Sequence, residues 1–192
     1  MKWLRLLGLL CLLAACDNKP LQFNATDITG VDYGSAIRLQ DGDGKLRSMA
    51  DFSGKVVAVF FGYTQCPDAC PTSMALLSDI KQRLGEDGNR LQAVFITLDP
   101  ERDNAAAISA YAKAFNPDFI ALRGTPEETR AVAKAFGVFF EKHGDVAGGK
   151  YTIDHTAGIY LFDPQGRTRL FVRYGETPER LLADIKLLLA GH

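Results

Sequence analysis

Hydrophobic residues are most concentrated at residues 56–61, where every position except one is β-branched or aromatic. This composition predicts a strand that is buried on both faces. Gly62 ends the run, and apolar residues then recur at helical spacing, which predicts a helix beginning near Asp68. The apolar positions of this helix are Leu77, Ile80 and Leu84. The chain therefore passes from a buried strand to an amphipathic helix within a few residues.

Other segments extend this pattern along the chain. Strands are predicted at residues 91–98, 119–122 and 138–140, and a hairpin is predicted from residues 156–162 and 168–174. Helices are predicted at residues 104–115, 125–136 and 177–189. Residues 37–39 and 45–47 flank a turn-forming segment and predict an N-terminal β-hairpin, whereas residues 144–149 are predicted to be a loop. This order predicts an α/β fold with a mixed sheet flanked by helices.

The first residues have the layout of a bacterial export signal. Lys2 and Arg5 form a basic start, residues 6–13 are apolar, and two alanines precede Cys16. We therefore expect a lipoprotein signal peptide at residues 1–15, a lipidated Cys16 and polar tether at residues 16–31, and one domain at residues 32–192. Asp17 resembles a retention signal for the bacterial inner membrane, with the domain facing the periplasm. The alternative is an ordinary signal peptide that happens to precede a cysteine.

Charge excludes one class of partner. Loss of residues 1–15 lowers the number of basic residues from 22 to 20 against 23 acidic residues, so the formal charge becomes −3. The sequence contains no strongly basic patch, and we therefore expect no nucleic-acid partner.

Cys66 and Cys70 would be the remaining thiols of the exported chain, and they lie at the junction of the buried strand and the helix. If the first turn is helical, a spacing of four residues puts both sulfurs on one helix face, and a helix N-terminus favours thiolates. Three interpretations follow: a structural disulfide or buried thiols, a redox pair for thiol–disulfide exchange, and a metal site. A cysteine pair at such a junction also indicates a thioredoxin-like fold, partly by analogy.

Histidine is the next candidate ligand. His155 precedes the final hairpin, whereas His143 lies in a charged segment that is predicted to be a surface loop, and His192 is the last residue. Two thiolates with one imidazole are too few for a closed zinc site but suit copper, Cu(I) in particular. Asp154 could orient the His155 ring as a hydrogen-bond acceptor.

Several motifs together resemble the Sco/SenC family. They are FGYTQCPDACPTSM around the cysteines, LDPERD at residues 98–103, GTPEE at residues 124–128, AFGVFF at residues 135–140 and YTIDHTAGIYLFDPQGR at residues 151–167. The resemblance implies a thioredoxin-like, copper-binding protein that helps to build the dinuclear copper site of cytochrome c oxidase. It also implies that Cys66, Cys70 and His155 are the metal ligands and that Asp99 is a supporting residue.

Two functions from different classes are therefore expected. The first is a membrane-tethered metallochaperone that passes copper from a donor chaperone to the copper-bearing subunit of cytochrome c oxidase or to another copper protein. The second is a thiol–disulfide oxidoreductase that reduces the cysteines of that client with Cys66 and Cys70. A peroxidase is a weaker third interpretation, because the residues before Cys66 lack the PxxxTxxC pattern.

Overall fold

The central strand predicted from the sequence is present in the computed structural model, which describes residues 22–192, and every residue of that strand is buried. The strands are β1 (Thr26–Asp27), β2 (Leu39–Asp41), β3 (Leu46–Arg47), β4 (Val56–Gly62), β5 (Leu91–Thr97), β6 (Ile120–Arg123), β7 (Phe140–Asp145), β8 (Lys150–His155), β9 (Gly158–Phe162) and β10 (Thr168–Arg173). The helices are α1 (Ala69–Arg83), α2 (Ala105–Phe115), α3 (Pro126–Ala135) and α4 (Pro178–Leu189). Short 3₁₀ segments lie at Gly34–Ala36, Met49–Phe52 and Gly85–Arg90.

In the part of the chain that the structure describes, eight strands form one mixed sheet in the order β1-β10-β9-β4-β5-β6-β2-β3. The three strands β4, β5 and β6 run parallel, and β9 pairs antiparallel with β4 on the other side. The predicted N-terminal hairpin is the pair β2–β3, which joins the sheet through β6. Among residues 22–192, no helix is both long enough and apolar enough to cross a bilayer. The expected signal peptide and Cys16 lie outside the described residues.

Alternate side chains of β4 enter two hydrophobic layers, as the two-residue period of a strand requires. Val56, Ala58 and Phe60 pack with apolar residues of α1, α2 and α4. Val57, Val59 and Phe61 pack on the opposite face with apolar residues of α3. Because both faces are covered, the strand has no polar alternation, which is why its sequence is an unbroken apolar run.

Local capping signals fix the starts of two helices where the sequence predicts them. The Asn104 side chain accepts a hydrogen bond from the Ala107 amide at 2.9 Å at the start of α2. Thr125 and Glu128 form a reciprocal capping box at the start of α3, with Pro126 in its first turn. These contacts use amides that lack partners inside the helix, so the caps are readable from residue types alone.

A two-stranded antiparallel ribbon, formed by β7 and β8, departs from the prediction. The predicted strand at residues 138–140 is wrong, since the strand begins at Phe140 and runs through His143 to Asp145. The predicted loop is correspondingly shorter. Most residues of β7 are exposed, so the strand carries no hydrophobic pattern, and a polar segment of this kind is read as a loop. Pairing with β8 holds it instead, and β8 ends at His155.

Candidate metal centre

The two cysteines lie at the carboxyl end of β4, an edge where parallel strands commonly present functional loops. Cys66 is in the loop between β4 and α1 and is half-buried, whereas Cys70 is in the first turn of α1 and is completely buried. Both are free thiols. The Cys70 amide lies 3.5 Å from the Cys66 sulfur, to which it donates a hydrogen bond. The strand end and the helix start therefore hold the two sulfurs on one side of the sheet.

Gly62, the last residue of β4, makes room for Cys70. A Cβ atom at this position would lie 2.6 Å from the Cys70 sulfur and 3.0 Å from the side chains of Phe60 and Phe95. Real Cβ atoms are not found so close to a sulfur atom, so the Cys70 side chain can occupy its place only because residue 62 has no side chain. The glycine that ends the apolar run was a usable signal for this contact.

His155 approaches the cysteines from a distant part of the sequence. Its Nε2 lies 3.7 Å from the Cys70 sulfur, and the Cys66, Cys70 and His155 ligand atoms all lie within 4.8 Å of one another. The ring also meets Phe60 and Tyr63 edge to face, with centroid distances of 6.1 and 6.3 Å. The structure thus brings together the three side chains that the resemblance named.

The backbone orients the His155 ring. Its Nδ1 lies 3.1 Å from the carbonyl oxygen of Thr156. Because a carbonyl can only accept, Nδ1 carries the proton of the neutral ring and donates it to this bond. The lone pair of Nε2 then faces the cysteines, as a metal ligand requires.

The expected role of Asp154 in this orientation is wrong. Its carboxylate is exposed and lies 3.4 Å from Nε2 of His143. Successive residues of a strand point to opposite faces, so Asp154 and His155 diverge. The period of β8 was therefore a signal against this assignment.

Burial governs the protonation of the site. Burial raises the pKa of the Cys70 thiol, and the nearby Cys66 raises it further. Burial likewise lowers the pKa of His155, against the opposing effects of the Thr156 carbonyl and Asp154. Burial of Cys70 therefore opposes the thiolate form that the helix N-terminus is predicted to favour. Metal binding at this site must release the Cys70 proton.

The family assignment follows from comparison with known proteins. The sequence model described as SCO1/SenC matches residues 26–190, most of the chain. The chain belongs to the SCO1/SenC family. It is 33% identical over 157 residues to an SCO2-like protein of Rickettsia conorii, a match that covers 81% of this chain and 77% of that protein. It is 37% identical over 138 residues to the mitochondrial SCO2 homologue of Danio rerio, covering 71% of this chain and about half, 48%, of that protein.

Solved structures of the family share this fold. The structure of Bradyrhizobium japonicum ScoI with copper bound superposes with a TM-score of 0.71 at 39% identity, covering 79% of this chain and 96% of that chain. The expected mixed, thioredoxin-like sheet of the SCO1/SenC family is thereby confirmed.

The donor set of this SCO1/SenC chain defines which metals fit. Within residues 22–192, no further histidine, cysteine or carboxylate joins the group formed by Cys66, Cys70 and His155. Structural zinc sites use four protein ligands, so this group is incomplete for zinc. Two sulfurs and one imidazole nitrogen instead fit a soft ion of low coordination number.

Asp99 and its neighbours contact the segments that carry the three donors but do not belong to the donor group. Asp99 is completely buried, accepts a hydrogen bond from the Tyr151 hydroxyl at 2.7 Å, and is paired with Arg102. Asp103, also completely buried, accepts two hydrogen bonds from Thr64. Sequence reasoning named Asp99 but missed the other residues. Their signal was the charged segment directly after β5, at the same edge of the sheet as Cys66.

Proposed function

We propose that this chain is a copper metallochaperone that holds its cargo with Cys66, Cys70 and His155. The observation that carries the proposal is the convergence of three donors, from the β4–α1 loop, the start of α1 and the end of β8, within 4.8 Å. Family membership supports it, as does the bound copper in the structure of ScoI from Bradyrhizobium japonicum.

The chemistry of the donors suits a carrier. Thiolate and imidazole ligands stabilise Cu(I), which accepts two or three ligands. Cys66 is half-buried, so a ligand from another protein can reach the ion beside it while Cys70 and His155 still hold it. Exchange of one ligand at a time avoids release of the ion into solvent.

We also propose a place for this activity. A signal peptide at residues 1–15 and a lipid on Cys16 would tether the domain to the periplasmic face of the inner membrane of a bacterium. The donor would be another copper chaperone. The client would be the copper-bearing subunit of cytochrome c oxidase or another exported copper protein. The layout of residues 1–16 and membership of the SCO1/SenC family support this assignment.

Titration of the reduced protein with Cu(I), in competition with a chromophoric Cu(I) chelator, tests the proposal. We expect one equivalent of tightly bound copper, and we expect none after a mild oxidant has converted the two thiols to a disulfide, because the thiolates are the ligands. Weak binding with no defined stoichiometry, or equal binding by the oxidised protein, would refute a Cys66–Cys70 copper site.

A thiol–disulfide oxidoreductase remains the second candidate. The observation that favours it is the pair of free sulfurs within 4.8 Å, one of which is half-buried and accessible to a substrate. A reductase needs both cysteines and does not need His155. Reduction of a disulfide-bonded client peptide that persists in His155→Ala and is lost in Cys66→Ser would identify this activity.

Gly62→Ala should reduce both stability and copper affinity. The added methyl group would overlap the Cys70 sulfur, and overpacking of a filled core costs about 1–3 kcal/mol. The free energy of unfolding from urea titration and the chelator competition measure the two effects. Gly34→Ala is the control. The added Cβ would lie 3.1 Å from the Met49 side chain and would not meet either cysteine. Unchanged copper affinity in Gly62→Ala would contradict the assignment of Cys70 as a ligand.

A further inference from the structure

The segment that follows β5, residues 99–103, contacts both parts of the candidate metal centre. One part is the loop that carries Cys66, and the other is β8, which carries His155. We propose that Arg102 is a positioning residue, which holds β8 so that His155 stays beside the cysteine pair. The inference rests on the proposed function for its effect on copper, whereas the positioning is a property of the copper-free protein.

Arg102 ties β8 to the main sheet through three kinds of contact. Its Nη1 donates to the carbonyl oxygens of Tyr151 at 2.8 Å and of Gly149 at 3.3 Å. Its guanidinium carbon lies 3.5 Å from the centroid of the Tyr151 ring. Its Nε donates to the buried carboxylate of Asp99, which also accepts the Tyr151 hydroxyl. A planar guanidinium can make all these contacts at once, because its donors form a rigid fork and its face stacks on an aromatic ring.

Tyr151, which Arg102 contacts, lies in the same strand as His155, so the contact with Arg102 bears on the position of His155. Tyr151, Ile153 and His155 alternate with outward-facing residues, so the three side chains share one face of the strand. Tyr151 and Ile153 are buried against the domain. Among the described residues, β7 and β8 pair only with each other and do not join the eight-stranded sheet. Contacts at this inner face, together with the two-residue connection from His155 to β9, therefore set where His155 lies.

The other end of the same segment holds the cysteine loop. The Asp103 carboxylate accepts the Thr64 amide at 3.0 Å and the Thr64 hydroxyl at 2.5 Å. It also accepts the Thr97 hydroxyl, from the end of β5, at 2.6 Å. Thr64 stands two residues before Cys66. Adjacent side chains, Arg102 and Asp103, thus fix the two ligand-bearing segments relative to one another.

The test uses Arg102→Lys in the reduced chain. Lysine keeps a cation beside Asp99 but cannot reproduce the fork or the stacking. In the copper-free protein, we expect faster hydrogen exchange of the β8 amides and loss of the nuclear Overhauser contacts between the rings of His155 and Tyr63. In the chelator competition, we expect Cu(I) affinity to fall by about 10–100-fold, the range seen when groups that orient a ligand are removed.

Arg130→Lys is the matched control, because Arg130 is exposed on α3 and pairs only with Glu127 among the described residues. It should leave exchange, ring contacts and affinity unchanged. Wild-type ring contacts and exchange in Arg102→Lys would overturn the positioning role. Loss of the ring contacts with unchanged copper affinity would overturn the link between that position and binding.

Misfolding of Arg102→Lys and a failure of the wild-type protein to bind copper can each be distinguished from failure of the positioning role. If Arg102→Lys does not fold, as judged by circular dichroism, Tyr151→Leu replaces it, since this change removes both the ring on which Arg102 stacks and the hydroxyl that binds Asp99. Faster β8 exchange in that variant supports the anchor, and unchanged exchange overturns it. If the wild-type protein binds no copper through its three donors, the proposed function fails, while the ring contacts and exchange still decide the role of Arg102.

Discussion

Replacement of His155 with alanine is expected to lower the affinity for Cu(I) by at least about 100-fold. Loss of a group that merely orients a ligand costs about 10–100-fold, and here the ligand itself is removed. Within residues 22–192, no other histidine, cysteine or carboxylate belongs to the group that could replace it. Chelator competition with the reduced protein measures the change. Disulfide formation between Cys66 and Cys70 should remain possible, because the imidazole takes no part in that bond.

His143→Ala is the control for this experiment. His143 lies on the same ribbon, in β7, but its ring is half exposed and its nearest charged groups are Asp154 and Glu141. The variant should bind copper as the wild-type protein does. Equal Cu(I) affinity in His155→Ala and the wild type would show that the imidazole is not a ligand and would favour the oxidoreductase.

Local sequence signals predicted most of the sheet and its helices. The unbroken apolar run of β4 follows from burial on both faces, and the caps at Asn104 and Thr125 follow from amides that need acceptors. Such features depend on a few neighbouring residues. They can be read without knowledge of the tertiary structure.

The ribbon β7–β8 could not be read in this way. Its first strand is mostly exposed and charged, so its only evidence of structure is pairing with residues farther along the chain. The proximity of His155 to the cysteines depends on that pairing and on the anchor at Arg102. Residue types alone therefore identified candidate donors, and the resemblance to the family indicated that Cys66, Cys70 and His155 bind one metal together. By contrast, the divergence of Asp154 from His155 was available from the alternation of a strand.

The second large effect concerns the buried ion pair. Asp99→Ala should lower the free energy of unfolding of the copper-free protein by about 3–5 kcal/mol, the usual cost of leaving one partner of a buried pair without its counterion. Asp99 is completely buried, and Arg102 is only 13% exposed. The change also removes the acceptor of the Tyr151 hydroxyl, a group that is itself buried. Urea unfolding followed by circular dichroism measures the loss.

The loss of unfolding free energy should be larger for this buried ion pair than for an exposed pair of the same residue types. Asp79 and Arg83 pair at 2.8 Å on the surface of α1, where the two side chains are 38% and 41% exposed. Water solvates each of these charges when its partner is removed, so Asp79→Ala should change stability far less. If Asp99→Ala and Asp79→Ala had the same free energy of unfolding, water or another acceptor would have to bind the Arg102 guanidinium when Asp99 is absent. The ribbon would then be held mainly by the stacking of Arg102 on Tyr151, and copper affinity in Asp99→Ala would stay close to that of the wild type.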